Sequence, residues 1–382
     1  QAVVDGSTVV IIDPTVTTQI LGADYTGGGT ALFLPDGRIA FSGTTNTTGY
    51  SGIFNIFDQS FNPVYTSLYG TSGNDSTNLL LFDSATSTVS TYGHTRGNLE
   101  GVNSGELDLF IQSRSAVTGA RTGGFQKGSS TDDITSNAQY HNGDIFVAGY
   151  TENSLYSQDS PTNNATWDAY IARYQPDGTL VWGKQFGFQG TDNAKVVTST
   201  TGDIALAYGN TAGDYANWFA QTNDPTLRAY KASDGTLLWT ETSKSLWAIA
   251  PNGSGIPGSD SLVTASFVPG SNVAWLGGST NGSYFGTNKG SNDLYLQKLD
   301  AQNGTILKTV SIGTSAEDSF AHLGGIIALD DRFLVLGGMT KGSFSSYYPE
   351  FSGSYQGGNT YGDIWIGIYD TVNEDFVWGT QF

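Results

Sequence analysis

Two sets of aspartates recur along this chain, each at steps of about 60 residues, the spacing of a stacked or radial repeat. The first set lies in short polar links: Gly73-Asn74-Asp75, Thr131-Asp132-Asp133, Gly190-Thr191-Asp192 and Ala316-Glu317-Asp318. A carboxylate in such a link has two uses. It caps a tight turn by accepting backbone N–H groups, or it binds calcium together with loop carbonyls. The run Gly187 to Ala194 fits a nonapeptide calcium pattern once, but a calcium β-roll needs that pattern in tandem. No Asp-x-Asp-x-Asp-Gly loop is present either. Asp75, Asp133, Asp192 and Asp318 are therefore expected as turn caps, with calcium as the one cofactor to test at them. The second set, Asp108, Asp168, Asp293 and Asp363, opens a β-rich run in each copy and is expected to accept hydrogen bonds from a neighbouring loop or threonine.

A third group could hold a ligand. Tyr156 and Trp167, then Tyr215, Trp218 and Phe219, then Tyr284 and Phe285, then Tyr347, Tyr348 and Tyr355 fall in loops rich in Asn and Ser. Aromatic anchors among small polar donors suit a sugar ring or a protein surface. The same rings would also serve to pack long loops onto the structure beneath. The candidate ligand-binding residues are Tyr156, Trp167, Tyr215, Trp218, Tyr284, Tyr347, Tyr348 and Tyr355.

Signs of catalysis are sparse. The three histidines, His94, His141 and His322, are far apart in sequence. Neither a Gly-x-Ser-x-Gly elbow nor a His-Glu-x-x-His pair occurs. Asp132/Asp133 and Asp330/Asp331 are sequential neighbours in loops, which favours solvated turns over a glycosidase pair.

The elements that must position these residues repeat with them. Gly-x-Thr occurs at Gly43/Thr45, Gly93/Thr95, Gly149/Thr151, Gly209/Thr211, Gly278/Thr280 and Gly338/Thr340. The clearest copy, Asn137 to Phe188, reads as two hairpins. Its turns are His141-Asn142-Gly143-Asp144 and Pro176-Asp177-Gly178, with a long polar loop between the hairpins. Other copies keep the order, with turns at Pro35-Asp36-Gly37, Asp234-Gly235 and Asn303-Gly304. No stretch shows capped helical periodicity. Four antiparallel strands per unit predict an all-β chain folded as a β-propeller of four-stranded blades. The glycine of Gly-x-Thr is expected to let neighbouring blades approach.

Six inner hairpins are visible against seven outer ones, so six blades are favoured, with seven as the alternative. The surplus is an outer-type N-terminal hairpin over 8–22. The repeats run over about 29–70, 78–127, 134–187, 194–241, 245–312 and 321–382, within one domain spanning 1–382. An insertion is expected at Pro251 to Asp260.

The phrases Gly143 to Thr151, Asp168 to Tyr174 and Trp182 to Gly187 resemble the bacterial seven-bladed β-propeller repeat family. The resemblance implies a secreted or surface-associated propeller and leaves activity open. Ala232 to Trp239 is similar to the tryptophan-docking turn of quinoprotein propellers, which is read as shared blade packing.

Composition narrows the class. The net charge is −19 and only 13% of residues are charged, so Lys and Arg are scarce. Nucleic-acid binding needs clustered basic residues and is not expected. Cysteine is absent, which removes disulfides, thiolate metal sites and a Cys nucleophile. No apolar run reaches membrane-spanning length. The chain starts at Gln1, which reads as a processed form or a fragment. The expected function is a secreted or cell-surface, non-enzymatic binding, adhesion or assembly module, with a glycan or protein on the aromatic loop face and calcium steadying the links. The alternative is a polysaccharide hydrolase or lyase acting at a central channel near Lys195, Glu317 and His322.

Overall fold

The computed structural model describes residues 2–4, 7–9, 30–45, 51–73, 75–159, 167–187, 191–211, 224–240, 260–282, 288–321, 324–357 and 362–382. They fall into two compact units, Gln1–Ile134 and Thr135–Phe382. Strands dominate, and the described helix is a single 3-10 turn, Phe344–Ser346. Among the described residues no helix is long and apolar enough to cross a membrane.

The first unit opens with a hairpin of β1 (Ala2–Val4) and β2 (Ser7–Val9). The hairpin expected over 8–22 lies almost wholly outside the described residues, as does the insertion expected at 251–260. Blade 1 follows as β3 (Thr30–Phe33), β4 (Ile39–Thr45), β5 (Ser51–Phe57) and β6 (Pro63–Tyr69). Blade 2 is β7 (Asp75–Asp83), β8 (Thr88–Thr95), β9 (Asp108–Ser115) and β10 (Arg121–Lys127). Each is a four-stranded antiparallel meander. They meet through Phe54, Ile56 and Tyr69 of blade 1 against Leu80, Val89 and Phe110 of blade 2.

Blade 3 comprises β11 (Asp133–His141), β12 (Asp144–Thr151), β13 (Ser157–Gln158), β14 (Asp168–Tyr174) and β15 (Leu180–Phe186). Blade 4 is β16 (Asp192–Thr198), β17 (Ile204–Thr211), β18 (Asp224–Lys231) and β19 (Leu237–Thr240). Blade 5 is β20 (Asp260–Phe267), β21 (Val273–Thr280), β22 (Asp293–Asp300) and β23 (Thr305–Ile312). In blade 6 the inner strand is split into β24 (Asp318–Phe320) and β25 (Ile326–Ala328). It continues with β26 (Phe333–Thr340), β27 (Phe351–Ser352), β28 (Asp363–Asp370) and β29 (Asp375–Gln381). Inner strands of blades 2 to 6 thus begin on an aspartate, some residues before the apolar run that marks them in the sequence.

Within the second unit each sheet buries one face against the next. Phe146, Ile171 and Trp182 of blade 3 meet Ala194, Val196 and Ala207 of blade 4. Leu206, Leu227 and Trp239 of blade 4 meet Leu262 and Leu276 of blade 5. Trp275 and Leu296 of blade 5 meet Phe320, Leu336 and Trp365 of blade 6. Middle strands are covered on both sides, so they read as continuous apolar runs such as Ile145-Phe146-Val147-Ala148.

Two polar joints fix the stacking. At the outer end, Trp182 Nε1 donates to the Ala232 carbonyl at 2.9 Å, and Trp239 Nε1 to the Ala301 carbonyl at 2.8 Å. Gly235, at φ +70°, keeps the turn free of a side chain where the Trp182 ring covers it. Blade 5 carries Lys308 at the tryptophan position, and its Nζ donates to the equivalent Thr371 carbonyl at 2.5 Å. At the inner end, Asn137 of blade 3 pairs with both backbone groups of Val196, at 2.7 and 2.8 Å. Asn210 Oδ1 accepts from Leu262 N at 2.9 Å, and Thr264 Oγ1 from Ile326 N at 3.1 Å. These side chains satisfy backbone groups at inner-strand edges that no ladder reaches.

Four of the six Gly-x-Thr glycines have a different cause from the one expected. A methyl on Gly93, Gly209, Gly278 or Gly338 would lie 1.8, 2.2, 1.7 or 1.9 Å from a carbonyl oxygen of the adjoining inner strand of the same blade. The close approach is within a sheet, not between blades.

Candidate loop-face site

The strand register brings the two aspartate sets together. Thr95 lies opposite Asp75 on one side and Asp108 on the other. Thr340 stands likewise between Asp318 and Asp363, Thr211 between Asp192 and Asp224, and Thr280 between Asp260 and Asp293. Thr151 lies opposite Asp168. A single Asp-Thr-Asp row therefore crosses one end of the blade. Asp224 and Asp260 complete rows that the acidic pattern alone did not reveal.

The acids at the links do what turn caps do. Asp75 accepts from the backbone N–H of Thr71 and the hydroxyl of Thr95. Asp133 accepts from the backbone N–H of Ser129. Asp318 accepts from Thr314 N at 2.6 Å and Thr340 Oγ1 at 2.5 Å. The second set holds the loop between the second and third strands: Asp108 accepts from Ser104 N at 2.8 Å, Asp293 from Lys289 N at 2.6 Å and Asp363 from Gln356 N at 2.7 Å.

A glutamine completes the row in three blades, and sequence reasoning missed it. Gln126, Gln185 and Gln381 are buried near the end of the outer strand. Their Nε2 atoms donate to Asp108, Asp168 and Asp363 at 3.2, 3.0 and 3.2 Å. They also donate to the loop carbonyls of Gly97, Asn153 and Gly342 at 2.9, 2.9 and 2.8 Å. Their Oε1 atoms accept loop amides: Leu99 and Glu100 in blade 2, Leu155 and Tyr156 in blade 3, and Phe344 in blade 6. The available signal was the aromatic-flanked glutamine closing each repeat, as in Phe125-Gln126, Gln185-Phe186 and Gln381-Phe382.

In blades 3 and 6 the pinned loop then runs to the outer edge and adds a short parallel strand, β13 on β15 and β27 on β29. An aromatic ring of each loop lies over a strand glycine. A methyl at Gly183 would fall 2.2 Å from the Tyr156 ring, and one at Gly379 would fall 2.4 Å from Phe351. Blade 2 places Glu100 over Gly124 instead, where it pairs with Arg121 and accepts Gln112 Nε2 at 2.6 Å.

The candidate aromatics separate by exposure. Tyr156 is buried, with its hydroxyl 2.6 Å from that of Tyr174. Tyr348 is buried on Phe344, and its hydroxyl accepts Gly313 N at 3.1 Å. Trp167 is half-buried, edge-on to Tyr150 with ring centroids 5.0 Å apart. Tyr355 is half-buried, its backbone N–H donating to Ser343 Oγ at 3.0 Å. Tyr347 is 41% exposed. Tyr215, Trp218 and Tyr284 lie outside the described residues. Beside Tyr347 the ammonium of Lys289 sits 5.5 Å from its ring centroid and 3.2 Å from the Tyr348 hydroxyl.

Burial shapes the titration of the row. Desolvation pushes Asp318 up to about 6, against the lowering effect of its threonine and amide donors, and the nearby Asp293 charge adds to the rise. Asp108 and Asp293 are also raised, mainly by burial. One carboxylate oxygen of each, Oδ1, has no hydrogen-bond partner. Near Gly187, Asp168 Oδ1 and Asp192 Oδ2 lie 2.5 and 2.6 Å from the position a methyl would take. Among the described residues no group of three or more His, Cys, Asp or Glu side chains forms a metal cluster.

Of the residues considered for a channel site, Lys195 donates Nζ to the Val263 carbonyl at 2.9 Å, and burial lowers it to about 8. Glu317 pairs with Lys341 at 2.6 Å, and His322 lies outside the described residues. His94 is lowered to about 4 by burial.

No family model matches the chain, and no curated relative matches it in sequence. Among solved structures it is similar to Kuenenia stuttgartiensis hydrazine synthase, at 9% identity and a TM-score of 0.51, covering 99% of this chain and 90% of that one. It is also similar to the periplasmic gluconolactonase of Pseudomonas aeruginosa, at 14% identity and a TM-score of 0.50, covering 90% and 82%. A third likeness is to the β-propeller domain of the trilobed protease of Pyrococcus furiosus, at 13% identity and a TM-score of 0.41, covering 81% and 74%. Its four-stranded antiparallel sheets, packed face to face, make the fold a β-propeller. At these identities the likeness concerns fold alone.

Proposed function

We propose that this propeller is a secreted or cell-surface binding module that holds a glycan, or a protein surface, on its loop face, with calcium steadying the links between blades. The observation that carries the reading is the glutamine-pinned loop. Buried Gln126, Gln185 and Gln381 fix loop backbone against the Asp-Thr-Asp rows, so the loops are held before any ligand arrives. Preorganised loops lose little entropy on binding. Tyr347, Tyr355 and Trp167 offer aromatic surface in those loops. The scarcity of Lys and Arg, the absence of cysteine and the resemblance to bacterial surface propellers support an extracellular setting.

Calcium enters this proposal at the blade junctions. Asp192 approaches Asp168 beside Gly187, and Asp318 neighbours Asp293, whose Oδ1 is left without a donor. A hard cation with oxygen ligands suits such a place. Asp75 and Asp133 occupy the equivalent link position.

A glycan array with the wild-type protein and Tyr347→Ala tests the binding reading. Binding that the variant loses supports it, and an array with no retained glycan, together with no protein captured from a matching cell surface, overturns it. Thermal melts in millimolar calcium and in chelator test the cation. A rise in Tm that Asp192→Asn reduces supports it, and superimposable melts remove calcium from the proposal.

A further inference from the structure

Lys289 stands out for what surrounds it. The chain has 35 acidic residues against 16 Lys and Arg, and the loop cations Arg96 and Lys341 are both in ion pairs. Lys289 is exposed, and among the described residues it is in no ion pair. Its ammonium lies 5.5 and 5.1 Å from the ring centroids of Tyr347 and Tyr348. One of its three donors is directed to the Tyr348 hydroxyl at 3.2 Å.

The position is fixed from several sides. The Lys289 backbone N–H is bound by buried Asp293. Gly290 N is held by Asn288 Oδ1 at 2.9 Å. The Tyr348 hydroxyl is anchored by Gly313 N, and its ring is stacked on Phe344. Among the described residues, loops of blades 5 and 6 therefore converge on an ammonium with donors left over from the Tyr348 bond, beside an exposed aromatic ring.

We infer that Lys289 and Tyr347 form a subsite for an anionic sugar residue, the ammonium taking its carboxylate or sulfate and the Tyr347 ring taking its apolar face. This rests on the glycan-binding reading above and narrows it to acidic glycans. An ammonium bound to an oxyanion gains a charge-assisted hydrogen bond, which a neutral sugar cannot supply. The net charge of −19 opposes a polyanion at long range. That repulsion is screened beyond about 8 Å at physiological salt, whereas the contact is not.

The test is titration calorimetry at physiological salt with three oligosaccharide sets: neutral, uronate and sulfated. The proteins are wild type, Lys289→Gln and Tyr347→Ala. Both sites are on the surface, and matched thermal melts check that the variants are folded. Lys289→Gln is expected to weaken the acidic sets about tenfold and leave the neutral set unchanged, the size of one charge-assisted contact. Tyr347→Ala is expected to weaken every set that binds. A loss confined to uronates assigns a carboxylate, and a loss confined to sulfated sugars assigns a sulfate. Acidic binding that Lys289→Gln leaves intact, or binding of neutral glycans only, overturns the subsite and leaves the wider reading standing. No binding of any set overturns the subsite and the glycan part of the wider reading, leaving a protein surface as its ligand.

Discussion

Blade 3 and blade 1 share a strand order and differ at one corner. In blade 3 the next-to-last residue of the outer strand is Gln185, fully buried beneath a long loop. In blade 1 the same place is Leu68, 58% exposed, and Ser51 stands where blade 3 has Asp168. The second and third strands of blade 1 are joined through residues 46–50 alone. The sheet forms either way. The acids and the glutamine are thus the foundation of a long loop and no requirement of the blade, which is why they recur only where a loop must be held.

Exchanging the two residues is the strongest way to break this comparison. Gln185→Leu strands two loop amides and takes one donor from buried Asp168, and should cost about 2–4 kcal/mol in urea unfolding. Leu68→Gln, at an exposed position, should stay within about 0.5 kcal/mol. Equal effects would show that the polar row supports the sheet rather than the loop.

The glycine under each loop sharpens the same contrast. Gly183→Ala forces a methyl into the Tyr156 ring and should cost about 1–3 kcal/mol. Gly123→Ala, with nothing within 4 Å, should change stability by no more than about 0.5 kcal/mol. Thermal melts of the pair decide this.

Much of this was readable beforehand, for physical reasons. Four strands per repeat follow from turn chemistry such as Asn142-Gly143, where both residues have positive φ, at 52° and 85°. The aspartates were visible because their spacing is fixed by the repeat. Their pairing across a threonine was not, since it depends on register between strands some twenty residues apart. Gln185 was hidden for the same reason: its partners at Asn153 to Tyr156 lie about thirty residues away. The two-residue edge strands at Ser157 and Phe351 carry no period at all. Tyr156 and Tyr348 read as ligand-facing by type, but their buried hydroxyl partners place them in the loop foundations.

The outer joint gives a smaller effect. Trp182→Phe keeps the ring and removes the N–H bound to Ala232, for about 1 kcal/mol by denaturant titration. Titration of the row adds a pH-dependent signal. Folded Asp318 holds its proton to about 6, whereas its ordinary value is 3.8. Between those values the folded state binds the proton that the unfolded chain releases, so this group's contribution to stability falls as pH rises and is lost above about 6. Unfolding of wild type and Asp318→Asn across that range should show the slope in the first and its loss in the second.

Hydrogen exchange at the Leu155 and Tyr156 amides, in wild type and Gln185→Leu, tests the central claim most directly. If buried glutamine holds the loop, both amides are protected in wild type. In the variant they should exchange at least about tenfold faster, even after correction for its lower global stability, while the β12–β14 ladder retains its protection at that corrected level. Amides that exchange freely in wild type, or at the same corrected rate in both proteins, would contradict it.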